Sequence, residues 1–312
     1  MKPLTENKIV LVIRHTRLDE LTARFNTRDQ ARFYVEHLGV DFSDYEIEDR
    51  TYKAAAQSAQ LALSRLGRLH VVDRQFVPNF IFGPSDTIVV VGQDGLVANV
   101  LKYLDGQPVV GVNPDPDRWE GALLPFSVTD LDLLLPDIFT QRRTIKTVTI
   151  AQATLNTGET LLGVNDLFIG PRSHTSAHYT IRIGDRYETH SSSGIIVSTG
   201  LGSTGWLRSV LTGATGIASA LSGRRPKVNK TRGFAWDAEF LYFSVREPWP
   251  SKASTAEITF GRVTPGLPLT LVSQMPENGV IFSDGIETDF LRFNSGTQAT
   301  IGISAKKGYL VG

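Results

Sequence analysis

Over its first ~125 residues this 312-residue chain alternates strand-like and helix-like patterns, and no other feature constrains the fold as strongly. Strands separated by helices build a βαβ layer with a parallel sheet. Residues 8–13 form a short aliphatic run suited to a buried parallel strand. Thr27, followed by Asp29 and Gln30, marks a helix start, and that helix runs to His37 before Gly39 stops it. Residues 54–66 are rich in Ala and Leu and end at Gly67, a second helix with its cap. Residues 69–72, 87–91 and 108–112 read as further strands, and 96–104 has helical spacing between the last two.

After Pro136 the texture changes. Residues 144–154 alternate apolar and β-branched positions, Asn156-Thr157-Gly158 is a turn, and 161–169 reads as another strand. Residues 179–183, 195–199, 240–245, 257–260 and 267–272 continue the strand-rich pattern, with one helix near 203–211. The expected organisation is an α/β N-terminal domain over 1–126, with a parallel sheet in Rossmann-like layers. A linker with a helix would occupy 127–143, and a β-rich, sandwich-like domain 144–312. There is no internal repeat.

Composition narrows the chemistry. The absence of cysteine excludes disulfides, thiolate zinc sites, iron–sulfur ligation and a cysteine nucleophile. Lys+Arg and Asp+Glu both number 32, and that balance argues against a dedicated nucleic-acid binder. No apolar run approaches the ~20 residues that span a bilayer, so no membrane partner is expected. The N-terminal residues lack the pattern of a secretory or organelle leader, so a soluble cytoplasmic protein is expected.

The charge balance hides a segregation. Between residues 103 and 140 lie Asp105, Asp115, Asp117, Glu120, Asp130, Asp132 and Asp137, against the single base Arg118. Between 191 and 236 there is no acid, but there are Arg208, Arg224, Arg225, Lys227, Lys230 and Arg232. Two solvated faces would account for this; so would an anion site in the second half. The Gly- and base-rich segment 222–233 reads as a mobile loop.

Three turns follow strands, where a βα layer binds its ligands. The first, Val91-Gly92-Gln93-Asp94-Gly95, sets a carboxylate between two glycines. Glycines let backbone N–H groups approach phosphate, and the carboxylate can take a proton from a hydroxyl nucleophile. An ordinary Asp-Gly turn would look the same. The second, Gly163-Val164-Asn165-Asp166, offers an amide and a carboxylate to a ribose or base, or is a bulge within a strand pair. The third, Thr199-Gly200-Leu201-Gly202-Ser203-Thr204-Gly205-Trp206, formally contains G-x-G-x-x-G. It lies in the β-rich half, and no acid follows until Asp237, too far for the ribose-binding carboxylate of a Rossmann loop. A Gly-Ser-Thr turn at a helix start can still bind anions or hydroxyls. Trp206 could stack on a base or fill a core.

Two weaker patterns carry less. Arg14-His15-Thr16 follows a strand, as a phospho-acceptor histidine would, but lacks the Gly expected after the His and a second Arg/His pair. His174 and His178 are four apart but lie in a loop running into a strand, without a third ligand, so no metal site is expected.

In their order and spacing the three turns resemble the NAD kinase family, which carries Gly-Gly-Asp-Gly, Asn-Glu/Asp and Gly-Ser-Thr-Ala-Tyr-like turns. Gly111-Val112-Asn113-Pro114-Asp115, Asn165-Asp166-Leu167-Phe168-Ile169-Gly170, Ser192-Ser193-Gly194, Phe243-Ser244-Val245-Arg246-Glu247-Pro248 and Phe282-Ser283-Asp284-Gly285 are most similar to its mitochondrial-type branch. The resemblance implies ATP-dependent phosphorylation of the 2′-hydroxyl of the adenosine ribose of NAD, giving NADP. Asp94 would be the general base. Gly92, Gln93 and Gly95 would lie against the donor phosphates, with Asn113 beside the nucleotide. Asn165 and Asp166 would hold the dinucleotide, and Ser203, Thr204, Gly205, Trp206 and Ser209 would line its pocket. ATP with Mg2+ or another divalent cation would be the donor, and a homodimer or homotetramer built through the β-rich domain is implied.

The sequence departs from that pattern where donor phosphate would approach. Gln93 replaces the second glycine and Leu96 the usual Thr/Ser, so an NAD(P)-binding protein with weak or no kinase activity is an alternative. A kinase of the same fold acting on another hydroxyl acceptor is a second alternative. Ser193 and Trp206 differ from bacterial members but are shared with the mitochondrial-type branch, and the family's aromatic C-terminal extension is not evident.

Overall fold

The computed structural model describes residues 4–224, 233–252 and 254–312. Arg225, Lys227, Lys230 and Arg232, with most of the 222–233 segment, lie outside the described residues. The chain divides into two compact units, Met1–Lys146 with Tyr309–Gly312, and Thr147–Gly308.

In chain order the first unit comprises β1 (Thr5–Ile13), α1 (Arg17–Phe25), α2 (Arg28–His37), α3 (Ser43–Leu66), β2 (Gly67–Asp73), β3 (Thr87–Val91), α4 (Asp94–Leu101), β4 (Pro108–Val112) and α5 (Leu131–Phe139). The strands run parallel in the order β2-β1-β3-β4. Tyr309 and Leu310, near the end of the chain, pair parallel with Pro108 and Val109 of β4. All five residues of β3 are buried, as expected of a central strand covered on both faces. On one face Val89, Val91, Val110 and Val112 meet Tyr52, Ala59 and Leu63 of α3 and Leu131, Leu134 and Leu135 of α5. The α3 residues recur at helical spacing, so one face of that helix is apolar. At ~1.5–3 kcal/mol for each buried aliphatic side chain, this core fixes the strand ends from which the turns project.

The second unit comprises β5 (Ile145–Leu155), β6 (Thr160–Gly163), β7 (Asp166–Pro171), β8 (Ala177–Ile183), β9 (Arg186–Ser192), β10 (Ile195–Ser198), α6 (Trp206–Ser222), β11 (Leu241–Val245), β12 (Phe260–Val263), β13 (Leu269–Ser273), β14 (Gly279–Ser283), β15 (Ile286–Arg292) and β16 (Gln298–Val311). One antiparallel sheet has the order β12-β11-β10-β7-β14-β15. The other runs β16-β13-β8-β9, with β5 beside β16 and β6. Alternate residues of the first sheet, among them Leu167, Ile169, Val197, Phe243 and Ile281, pack on Tyr179, Ile181, Leu271 and Ile301 of the second. This is a sandwich core. The architecture is therefore an α/β N-terminal part with a parallel sheet and a β-rich, antiparallel C-terminal part, as the sequence pattern anticipates.

Several elements differ from the sequence expectation for identifiable reasons. The run 161–169 is not one strand: it breaks at Val164 and Asn165, whose N–H groups bond to the Asp284 carboxylate. The strand expected at 257–260 begins only at Phe260, because the N–H groups of Glu257 and Ile258 bond to Glu188 at 2.9 and 3.1 Å. Helix α3 starts earlier than expected, at Ser43, whose N–H is capped by Asp41 at 2.8 Å. Helix α1, not expected from the sequence, packs Leu18, Leu21 and Phe25 from one face against Ala31 and Val35 of α2 and Phe42, and a Thr16/Asp19 capping box starts it. Helix α6 continues past Leu211 to Ser222, where Gly223 ends it in the left-handed conformation.

Candidate functional site

The first turn leaves the carboxyl end of β3. Beneath it the Tyr52 hydroxyl donates to Val91 O (3.0 Å) and accepts from Arg14 N (2.8 Å), tying the ends of β3 and β1 together. Burial pushes the Tyr52 phenol up to about 12, so it remains a protonated donor at neutral pH. Gly92 N donates to Val112 O at 3.3 Å, which adds the end of β4. Gln93 is the N-cap of α4, half-buried and without a side-chain capping bond, and Asp94 is the helix's first residue.

The Asp94 carboxylate is held by backbone. Its Oδ1 accepts from Leu123 N at 2.8 Å and its Oδ2 from Ala122 N at 3.3 Å. The loop supplying these donors is itself braced. Asn113 Nδ2 donates to Trp119 O (2.9 Å), and Asn113 Oδ1 accepts from Asp115 N (3.0 Å). Arg118 pairs with Asp44 at the start of α3 and lies 3.6 Å from Asp115. The Arg118 and Arg17 guanidiniums hold the Asp44 carboxyl down at about 2. Gly111 admits the loop: a Cβ there would lie 1.9 Å from Leu123 O. A Cβ on Gly95, by contrast, would meet nothing within 4 Å, and Gly95 is exposed. The fold needs a glycine at 111, and its packing does not need one at 95.

In the second unit the Asn165-Asp166 turn is gripped from both sides. The Asp284 carboxylate accepts from Val164 N (3.1 Å), Asn165 N (2.6 Å) and Asp166 N (3.3 Å). The Thr199 hydroxyl donates to Val164 O (2.6 Å), and Thr199 N donates to Asn165 O (3.0 Å). Burial, with the Asp284 carboxylate nearby, pushes Asp166 up to about 7. Asn165 is half-buried and Asp166 buried.

The third turn packs directly on the second. A Cβ on Gly202 would lie 2.0 Å from Asn165 O, so only glycine permits this approach. Ser203 is buried, and its hydroxyl donates to Gly200 O (2.6 Å) while accepting from Phe234 N (3.1 Å). Ser203 thus builds the turn, whereas Thr204 and Gly205 are exposed at the start of α6. That helix start has no side-chain cap and no acid in its first turn. Trp206 stacks on Phe168 at 5.7 Å, with the Arg246 guanidinium 5.6 Å from its ring. Ser209, one turn further, is exposed, and its hydroxyl donates to Gly205 O at 3.3 Å.

The structure thus gathers the sequence-identified residues into two groups, one in each unit. Gly92, Gln93, Asp94, Gly95 and Asn113 lie together in the first, and Asn165, Asp166, Ser203, Thr204, Gly205, Trp206 and Ser209 in the second. Sequence reasoning gave no role to Asp284, Thr199 or the Ala122-Leu123 amides. Asp284-Gly285 carries a hairpin-turn signal, but its target lies 119 residues away from Asp284 at Asn165. His15 is more than half exposed, beside Asp73 (3.5 Å) and Asp19 (4.0 Å). His174 and His178 are exposed, and among the described residues no group of three or more His, Cys, Asp or Glu could hold a metal. A cavity of about 460 Å³ opens at Thr5, Thr87 and Pro108, the amino ends of the parallel strands, and contains none of these residues.

The parallel α/β unit thus presents a glycine-flanked carboxylate, and the β-sandwich unit a carboxylate turn at an open helix start. Comparison with solved structures identifies the fold as that of the NAD kinases. An NAD kinase from Archaeoglobus fulgidus in complex with ATP matches 98% of this chain and 93% of its own, at 17% identity and a TM-score of 0.56. Yeast NADH kinase complexed with NADH matches 98% of this chain and 84% of its own, at 14% identity and the same TM-score, 0.56. In sequence, the chain is 29% identical to the NAD kinase of Chlorobaculum tepidum over 124 residues, 39% of this chain and 43% of that protein. The match therefore spans less than half of the curated relative. No protein-family model matches the chain. Among the described residues no helix is long and apolar enough to cross a membrane.

Proposed function

We propose that this protein is an NAD kinase-like phosphotransferase that uses ATP to phosphorylate the 2′-hydroxyl of the adenosine ribose of NAD. The observation that carries the reading is Asp94. It stands at the carboxyl end of the central parallel strand, held by two backbone N–H groups, beside a glycine whose missing side chain the packing does not require. A carboxylate fixed in this way can accept the proton of an attacking hydroxyl, a contribution of roughly 10²–10⁴-fold to the rate. Phosphoryl transfer otherwise asks for positioning and charge neutralisation. Gly92, Gln93 and Gly95 would lie against the donor phosphates and Asn113 would brace the loop beside them. Asn165 and Asp166 would hold the dinucleotide, with Ser203, Thr204, Gly205, Trp206 and Ser209 around its base and ribose. Mg2+ would arrive on the phosphates of ATP, since it commonly binds through phosphate oxygens and one or two carboxylates. The fold likeness to NAD and NADH kinases and the partial sequence match support the same reading.

The test is incubation with NAD, ATP and Mg2+ and quantification of NADP. Turnover supports the reading; binding of NAD with no NADP formed from any phosphate donor overturns it.

Gln93 favours a second reading, a protein that binds NAD(P) with weak or no turnover. Its half-buried side chain caps nothing and sits in the turn expected to meet donor phosphate. Leu96 has a different explanation: it is buried and packs under Gly92, where a Cβ would come within 2.7 Å of its Cδ2. Gln93→Gly would raise turnover under this reading and leave it unchanged under the first.

A further inference from the structure

Asp284 stands 118 to 120 residues from the segment it holds and belongs to none of the three turns. It begins the hairpin between β14 and β15. Ser283 pairs with Ile286, leaving Asp284-Gly285 as a two-residue loop, with φ of +56° and +71°. Positive φ at both central residues is the type I′ geometry, which Asp-Gly and Asn-Gly adopt readily. In that conformation the carboxylate reaches the chain break between β6 and β7 and takes three successive backbone N–H groups, from Val164, Asn165 and Asp166. Asp284 N returns a hydrogen bond to Asp166 O at 3.0 Å, closing the contact. Three adjacent N–H groups converging on one carboxylate form an anion nest filled by the protein's own side chain.

We propose that Asp284 is the positioning residue of the dinucleotide subsite, shaping the Asn165-Asp166 turn and placing a second carboxylate beside Asp166. The inference rests on the reading of Asn165 and Asp166 as dinucleotide-holding residues. Without the three bonds, the amides of a half-buried turn lose their acceptor and Asn165 loses its fixed direction. The electrostatic part follows from placement. The residue paired with Asp166 on β10, Ser198, is uncharged, as is Ser283 at the end of β14. Among the described residues, the charged group acting on Asp166 is Asp284. With Asp166 at about 7, the carboxyl is half protonated at neutral pH; the anion only accepts hydrogen bonds, as ribose hydroxyls and base amino groups require. Affinity for NAD is therefore expected to rise between pH 6 and pH 8.

Asp284→Asn and Asp284→Gly test this, because both residues fit the type I′ turn and the fold is expected to survive. NAD binding would be measured by titration calorimetry at pH 6 and pH 8, with thermal melting as the check on folding. Wild type should bind roughly tenfold more tightly at pH 8 than at pH 6. Both variants should bind at least about fivefold more weakly at pH 8, the Asn amide facing the Val164 N–H donor to donor. With the neighbouring charge removed but the burial of Asp166 retained, the ratio between pH 8 and pH 6 should shrink without reaching one; loss of structure alone would not produce that change. Asp166→Asn should abolish the ratio with Asp284 intact. Folded variants that bind NAD like wild type, with the same pH ratio, overturn the role of Asp284 alone. A wild type that binds neither NAD nor NADH overturns the reading of the subsite, and the proposal with it.

Discussion

Asp94 Oδ1 accepts a hydrogen bond from Leu123 N at 2.8 Å, so the orientation of the proposed base is set by a loop that begins beyond the next strand. That loop is anchored at Arg118, whose guanidinium pairs with Asp44 on α3. Arg118→Met should therefore lower kcat more than it raises KM for NAD, with Arg118→Lys recovering part of the loss. Steady-state kinetics on the three proteins check it; an effect confined to KM contradicts it.

The Arg118–Asp44 pair also has a signed dependence on pH. Asp44 is held at about 2, below its ordinary 3.8, so its contribution to stability is present above pH ~4 and is lost as pH falls through about 2. The pair is half exposed and partly screened by solvent, so the effect is modest. Asp44→Asn should lower Tm at pH 6, with the difference from wild type shrinking as the pH falls from 4 towards 2.

Asp166 has the opposite sign. Its carboxyl is raised to about 7 in the folded protein, against 3.8 ordinarily. The folded state thus holds a proton that the unfolded chain releases, an advantage present below pH ~4 and lost as pH rises to 7. Asp166→Asn should remove this dependence. Its Tm relative to wild type should climb from pH 4 to 7 and then level off, as melting curves across that range would record.

Two glycines separate fold from site. Gly202→Ala would drive a Cβ to 2.0 Å from Asn165 O and should destabilise the second unit by roughly 1–3 kcal/mol. Gly95→Ala meets nothing within 4 Å and lies in the first turn of a helix, so stability should change by less than about 0.5 kcal/mol. ATP affinity should nonetheless fall. Equal effects of the two substitutions on stability would contradict the distinction.

Much of this architecture was legible because the chain punctuates it. The buried run Thr87–Val91 needs cover on both faces and so announces a parallel layer, and Thr27, Gly39 and Gly67 mark helix ends. The candidate turns were visible because each joins glycine to a polar group at a strand end. What was hidden depends on distance along the chain. Nothing local at Val164 says that its N–H faces Asp284, so the break between β6 and β7 was read as continuous strand. Likewise Glu188, holding Glu257 N and Ile258 N from β9, ends a strand pattern that composition alone would continue. Asn113, expected beside the nucleotide, also braces its own loop through Trp119 O and Asp115 N, partners that the sequence does not disclose.

Whether Asp94 takes the proton of the attacking hydroxyl is read from kcat for NADP formation from NAD and ATP·Mg by wild type and Asp94→Asn, with NAD affinity measured in parallel. Wild type should form NADP and the variant should lose about 100-fold or more in kcat, with NAD affinity within about threefold of wild type. A variant that binds NAD normally and turns over at the wild-type rate would contradict it.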